Sequence, residues 1–469
     1  MSLTPDLARA VREALSYDLR TPEGNRGLLA YVMDLLDVAE FRIVEQAASL
    51  WGSDHTNLIG LAGPHDGGGL LLSSAVLKAP DTPPELWTET EDDPLNATET
   101  DGLLFGLGAA GNRLDLICRI VAMSQLPLHR LKRPLAIVGL CGDDARVGGA
   151  MHLLDSGLVA PSMALVSDAT SLEIAHAHRG FVQLAFDLDV PVPPALEPSA
   201  GSVTWTVTVL GVPAHTASPG LGRNALTLAL GHASRLIELG GRVFDFGAPG
   251  AVERVPDRCR FVAVLPQGVY PPLPGALVEW GGQPTRDVTP ALLAFAAAAP
   301  RIRSLLRWSS PARDDDFLPL GASGVFTSAQ TLAAEEPTMN RLTLGLEIRP
   351  RPDEAVETLL RDLEGAVRRA ATEWHGHGAL RVDRHLLPFD GRSDSALVEA
   401  VRKVSHHPTT VGTHAGFTEA WVYQSVNIDT AVFGPGSLAV RGRPNEYAVL
   451  RHLDASYQLY GRLVKEICF

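Results

Sequence analysis

Three short stretches of the chain carry residue types that can do chemistry. Ser167-Asp168 and Thr413-His414 each set a hydroxyl beside a proton-accepting group, the pairing that covalent hydrolysis uses. Neither lies in a Gly-x-Ser-x-Gly turn, the strained geometry that exposes a serine nucleophile, so adjacency alone makes no nucleophile here. Gly106-Leu107-Gly108 could let backbone approach a pyrophosphate, but the third glycine and the spaced acidic residue of a dinucleotide fingerprint are missing. The cysteines, Cys118, Cys141, Cys259 and Cys468, are far apart and form no Cys-x-x-Cys pair, so they read as buried free thiols in a reducing compartment. Asp314-Asp315-Asp316 reads as a solvated loop.

The elements that must position any site come in two styles. Up to about residue 179 helices alternate with short apolar strands. The runs Leu70-Leu71-Leu72, Leu135 to Leu140 and Met163 to Val166 are continuously apolar, as in a sheet covered on both faces. From Gly180 the pattern changes: Val203-Thr204-Trp205-Thr206-Val207-Thr208-Val209 alternates, as on a sheet with one face in solvent. Leu342 to Ile348 alternates again, and Val356, Leu359, Leu360, Leu363, Val367, Ala370 and Trp374 recur at helical spacing. Between them a Pro- and Gly-rich region, about 240–325, reads as an insertion with its own local structure. After Pro388 an amphipathic helix and the strand Thr430-Ala431-Val432-Phe433 signal a return to the first domain.

With 469 residues, 45% hydrophobic and 20% charged, the chain is long enough for two cores. A net charge of −14 argues against nonspecific nucleic-acid binding, which needs Lys and Arg against phosphate. No stretch reaches the roughly 18 apolar residues of a membrane span, and residues 1–20 lack the apolar core of a secretory signal. A soluble cytoplasmic protein acting on small molecules or proteins is expected.

Several segments, in order, resemble one family. They are the strand Leu70 to Ser73, Asp101 to Ala110, Gly142-Asp143-Asp144, Val166-Ser167-Asp168, Gly211 to Ala217 with His215, Gly222-Arg223-Asn224-Ala225, Arg349-Pro350-Arg351-Pro352, and Phe433-Gly434-Pro435-Gly436 followed by Pro444-Asn445-Glu446-Tyr447. Each is weak alone, but the order and spacing resemble the acetylornithine deacetylases, succinyl-diaminopimelate desuccinylases, aminoacylases and glutamate carboxypeptidases. The resemblance implies an α/β zinc-exopeptidase-like domain interrupted by an α+β lid, with two zinc ions at the active site. Amide hydrolysis at neutral pH needs an activated water, a Lewis acid on the carbonyl oxygen and a carboxylate to move the proton. Two zinc ions bridged by a carboxylate supply the first two needs.

By this resemblance most of the ligands are replaced. The His-x-Asp positions fall on Ala75 and Leu77, the bridging Asp on Gly111 and the last His on Gly442, so three of five ligands are gone. Asp143 and Asp144 stand where the family has a general base and a ligand, both Glu, and Asp168 matches the fifth ligand. Shortening a general base by a methylene moves it by roughly an ångström, which geometry-dependent catalysis tolerates badly. His176, His178 and His414 are the candidates for rebuilding a mononuclear site, His414 standing where an acidic residue is often found. In the lid, His215 matches the histidine that helps hold the oxyanion, and Arg223 and Asn224 match a substrate-binding segment. These residues equally suit capping and packing of the lid helix, and Arg349 suits a structural salt bridge.

The expectation is a two-domain protein: 1–179 with 387–469 as the zinc-exopeptidase-like α/β domain, and 180–386 as lid and dimerisation domain with the insertion at about 240–325. By resemblance it is a homodimer through the lid. Asp143 and His215 take the catalytic positions, Arg223 and Asn224 the substrate-binding ones, Asp144 and Asp168 the remnant metal ones. The leading reading is a degenerate member that binds an N-acyl amino acid or short peptide without two-zinc hydrolysis and needs no cofactor. Two alternatives stay open: an active amide hydrolase with a relocated zinc site, and a structural partner of an active paralogue.

Overall fold

Every residue of the strand Leu70–Val76 is buried, because strands flank both its edges and side chains cover both its faces. It runs parallel to Leu135–Cys141 on one side and to Met163–Val166 on the other, and Asp429–Val432 extends the parallel set beyond Met163–Val166. The hairpin Arg42–Leu50 and Ser53–Ala62 closes one side of this nine-stranded sheet in antiparallel fashion. On the other side Ile174–His178 pairs with Phe389–Asp390 and with Val411–His414. The structure, a computed structural model, describes residues 3–469 except 51–52, 66, 77–81, 142–144, 192–200, 218, 251–252, 270–272, 308–323, 336–337 and 407–408.

The chain divides into two units, Met1–Arg179 with Pro388–Phe469, and Gly180–Leu387. In the first, the helix Asn112–Met123 is buried along its whole length between the sheet, Pro5–Ser16 and Leu450–Cys468. Leu114, Ile117 and Ile120 join Leu72, Leu165, Leu453 and Leu463 in one apolar cluster. Each such side chain contributes roughly 1.5–3 kcal/mol by leaving water. Among the described residues no helix is long and apolar enough to cross a membrane.

The second unit holds two four-stranded antiparallel sheets. One runs Arg242–Gly247, Arg258–Leu265, Val203–Leu210, Ala276–Trp280; the other runs Gly324–Ala333, Met339–Ile348, Phe181–Pro191, His377–Leu386. The helices Ala225–Glu238, Thr289–Arg307 and Val356–Glu373 share a core with them, built on Val207, Phe261, Leu226, Leu292, Leu344 and Leu363. The region about 240–325 therefore does not stand apart. Its strands Arg258–Leu265 and Ala276–Trp280 flank Val203–Leu210, whose two edges would otherwise be unpaired, Arg242–Gly247 pairs with Arg258–Leu265, and its helix lies in the common core. The Pro and Gly content that suggested an insertion marks the turns between these strands.

Candidate functional site

In an open sheet with parallel strands, ligands bind beyond the carboxyl ends of the strands, where the connecting loops diverge. Here that end carries Asp168 after Met163–Val166 and Gly434 after Asp429–Val432. Beneath it lies a buried cation. Nη1 of Arg119 donates to the carbonyls of Ser73 (2.8 Å) and Leu165 (2.9 Å), and Nη2 to that of Phe433 (3.5 Å), joining three neighbouring segments. Arg119 is balanced by Asp115 one turn earlier (2.9 Å) and lies against the Tyr460 ring. Tyr460 Oη donates to Asp115 Oδ1, and burial pushes the Asp115 carboxyl upward while Arg119 opposes it.

On the Ser73 side chain a second buried group converges. Ser73 Oγ donates to Glu419 Oε1 (2.8 Å) and lies 2.9 Å from the hydroxyl of Tyr423. Burial, and then the Glu419 carboxylate, push the Tyr423 phenol well above its ordinary value.

Asp168 is sealed, its side chain only 1% exposed, and both its oxygens are engaged. Oδ1 accepts from the Ala169 amide (2.9 Å) and from Nη1 of Arg441 (2.5 Å). Oδ2 faces Nε2 of His414 at 3.0 Å, so that ring nitrogen carries the hydrogen that is donated. The close approach requires glycine at 416: a Cβ there would stand 2.5 Å from His414 Nε2 and 3.1 Å from Asp168 Oδ2.

Glu446 fastens two loops. Its Oε1 accepts from the Ala110 amide (2.9 Å) and its Oε2 from the Gly442 amide (3.0 Å), while its carbonyl accepts from Gly106 (3.0 Å). Burial pushes its carboxyl above the ordinary range against the pull of these amides. The glycine loop 106–111 and the 442–446 segment are thus one assembly. Gly111 precedes the helix Asn112–Met123 as its N-cap.

Of the histidines proposed for a rebuilt site, His414 reaches Asp168. The Nδ1 of His178 donates to the Arg179 carbonyl (2.8 Å), and its Nε2 accepts from the Thr418 amide (3.3 Å), which occupies that lone pair. His176 Nδ1 is buried without a hydrogen-bond partner. Asp143 and Asp144 lie outside the described residues.

In the second unit His215 and Asn224 are both held by local structure. Asn224 caps the helix Ala225–Glu238, its Oδ1 accepting from the amides of Leu226 and Thr227, while its Nδ2 donates to the Phe326 carbonyl (2.8 Å). His215 Nδ1 accepts from the Ala217 amide (3.1 Å), leaving Nε2 as the donor nitrogen, 3.7 Å from Glu253 Oε1. Arg349 is buried between Glu347 (2.8 Å) and Glu253 (3.1 Å) and lies over the Phe181 ring. Arg223 is exposed, and its backbone pairs with Val212.

The model of peptidase family M20/M25/M40 matches residues 79–466. The chain belongs to that family. An acetylornithine deacetylase of Salmonella paratyphi B is 23% identical over 412 residues, 86% of this chain and 82% of that protein. An acetylornithine deacetylase of Pasteurella multocida is 31% identical over 187 residues, 40% of this chain and about half (47%) of that relative's length. The fold is shared with the aminoacylhistidine dipeptidase of Vibrio alginolyticus, at TM-score 0.57 and 13% identity over 99% of this chain and 97% of that one. It is shared also with a dinuclear metal binding peptidase of the M20 family from Bacillus subtilis, at TM-score 0.52 and 11% identity over 97% of each chain.

The donors present can be tested against a family-type pair of metal ions. Among the described residues no group of three or more His, Cys, Asp or Glu side chains could hold a metal ion. Ala75 is apolar and fully buried, Gly111 and Gly442 offer no side chain, and Asp168 already has two cationic or potentially cationic neighbours. The described donors alone do not make up a two-zinc site, and Asp143 and Asp144 lie outside them. Sequence reasoning does not single out Arg441, Glu419 or Arg119, and gives Glu446 no role. The signal for Arg441 was an arginine beside Gly442, where the family resemblance expects a histidine. For Glu419 it was a carboxylate in the otherwise apolar Ala415-Gly416-Phe417-Thr418-Glu419-Ala420-Trp421-Val422.

Proposed function

We propose that this M20 protein binds an N-acyl amino acid or a short peptide at the carboxyl ends of its parallel strands without hydrolysing it by a two-zinc mechanism. The observation that carries the reading is the engagement of both Asp168 oxygens by Arg441 and His414. Zinc at Asp168 would have to compete with a guanidinium on Oδ1 and an imidazole on Oδ2. The ligand class is that of the relatives, named for deacetylation of acetylornithine and cleavage of aminoacylhistidine dipeptides.

One contact favours the alternative of a relocated single-metal hydrolase: His414 and Asp168 pair a carboxylate with an imidazole, 3.0 Å apart. Both readings carry over the family expectations of a homodimer through residues 180–386 and a cytoplasmic location. Elemental analysis of protein purified without chelator, before and after incubation with excess zinc, separates them, followed by assays of N-acetyl amino acid hydrolysis with zinc, manganese or cobalt. Negligible retained metal and no metal-dependent turnover are expected. Near two equivalents of zinc per chain with turnover would overturn the proposal; a single equivalent with turnover lost in Asp143→Ala would establish the alternative.

A further inference from the structure

Resting on that reading, we infer that Arg441 is the cation that receives the ligand's carboxylate. Its guanidinium is anchored at one end, where Nη1 meets Asp168 Oδ1, and the anchor is rigid because Asp168 is itself buried and held by Ala169 and His414. The other end is open. Among the described residues Nε and Nη2 of Arg441 donate to no acceptor, and the side chain is 13% exposed.

A guanidinium fixed by one carboxylate still presents donors in a planar fork, the geometry that matches a second carboxylate. Fixing it beforehand removes much of the side-chain entropy that a free surface arginine loses on binding. Its surroundings are also held still. The next residue, Gly442, has its amide fixed by the buried Glu446, and Glu446 also fixes Ala110 in the glycine loop. Asp168 balances one unit of charge, and the imidazole of His414 lies on its far oxygen. The donors left on Arg441 form a single planar fork, which suits one carboxylate, and this contact requires no bound metal.

The test uses the full chain in chelator, with N-acetylglycine as the carboxylate probe and N-acetylglycinamide as its uncharged counterpart, both titrated calorimetrically. The wild type is expected to bind the acid and not the amide. Arg441→Gln is expected to weaken acid binding at least about tenfold, the scale of one charge-assisted contact. Because Arg441→Gln leaves Asp168 without its main counter-charge, the double variant Asp168→Asn with Arg441→Gln removes both charges together and is expected to lose the acid equally. Undiminished acid binding in a folded Arg441→Gln or double variant would overturn the inference and leave the proposed function standing. Acid binding that appears only after zinc is added would overturn the inference, and zinc-dependent turnover alongside it would overturn the proposed function itself. Binding of acid and amide alike, or of neither, would overturn the inference.

Discussion

The Nε2 of His215 and the Nη2 of Arg349 face the same atom, Oε1 of Glu253, at 3.7 Å and 3.1 Å. The residue that the family resemblance assigns to oxyanion binding is thus tied to a buried ion network in which Arg349 also serves Glu347, 3% exposed, and lies close to Thr216. Removing Arg349 leaves Glu347 buried without its counter-charge. Arg349→Leu is expected to cost about 3–5 kcal/mol, and Glu253→Gln, which removes a partly exposed partner, about 1–2 kcal/mol. Urea unfolding measures both, and equal losses would show that Glu253 carries the network.

Asn224 separates ligand binding from helix capping. Asn224→Ala removes a cap with two backbone donors and is expected to destabilise the unit by about 1 kcal/mol. Asn224→Asp keeps the capping oxygen but loses the donor to the Phe326 carbonyl, and is expected to recover only part of that loss. If ligand affinity falls equally in both variants while stability falls less in Asn224→Asp, Asn224 contacts the ligand as well.

Glu446 gives a pH dependence with a definite sign. Its carboxyl is raised above the ordinary 4.5 by burial, so the folded chain holds this proton more tightly than the unfolded chain. Its stabilising contribution is complete below the unfolded value and is lost as pH rises through the folded value. Glu446→Gln cannot titrate there. The stability of the wild type relative to Glu446→Gln is therefore expected to fall as pH rises from the ordinary carboxyl value through neutrality. Urea midpoints across that range test this, and a difference independent of pH would contradict it.

The thiols of Cys118, Cys259 and Cys468 are buried and free. Burial pushes Cys259 up to about 12 and Cys468 up to about 11, so almost none of either is thiolate near neutrality. An aromatic disulfide reagent at pH about 8 is expected to leave all three unmodified in peptide maps until the chain is unfolded. Rapid labelling of Cys259 in the native protein would show that its surroundings open.

The strands were legible where burial is simple. Continuous apolar runs at Leu70, Leu135 and Met163 mark a sheet covered on both faces, because every side chain there must be apolar. Glu347 shows the limit. It lies in an alternating strand and is buried, and only Arg349, Thr216 and Glu253 explain why. The motifs single out Asp168, but its partner Arg441 lies 273 residues away. Spacing arguments rank histidines as metal donors and do not reveal which cation will lie against a given carboxylate. The region about 240–325 was hard to read for another reason: its short antiparallel strands are separated by turn residues, and composition reports the turns before the pairing.

The division of the chain has a bearing on how it is made. Gly180–Leu387 is continuous, whereas the other unit needs Met1–Arg179 and Pro388–Phe469 together. The amides of Gly106 and Ala110 wait for Glu446, and Asp115 and Arg119 wait for Tyr460, well over three hundred residues later in synthesis. A nascent chain therefore carries a half-built sheet with buried-type charges exposed, while the middle unit is free to fold first. Stalling translation just before residue 446 should yield chains whose Gly180–Leu387 unit resists protease and whose leading segment does not.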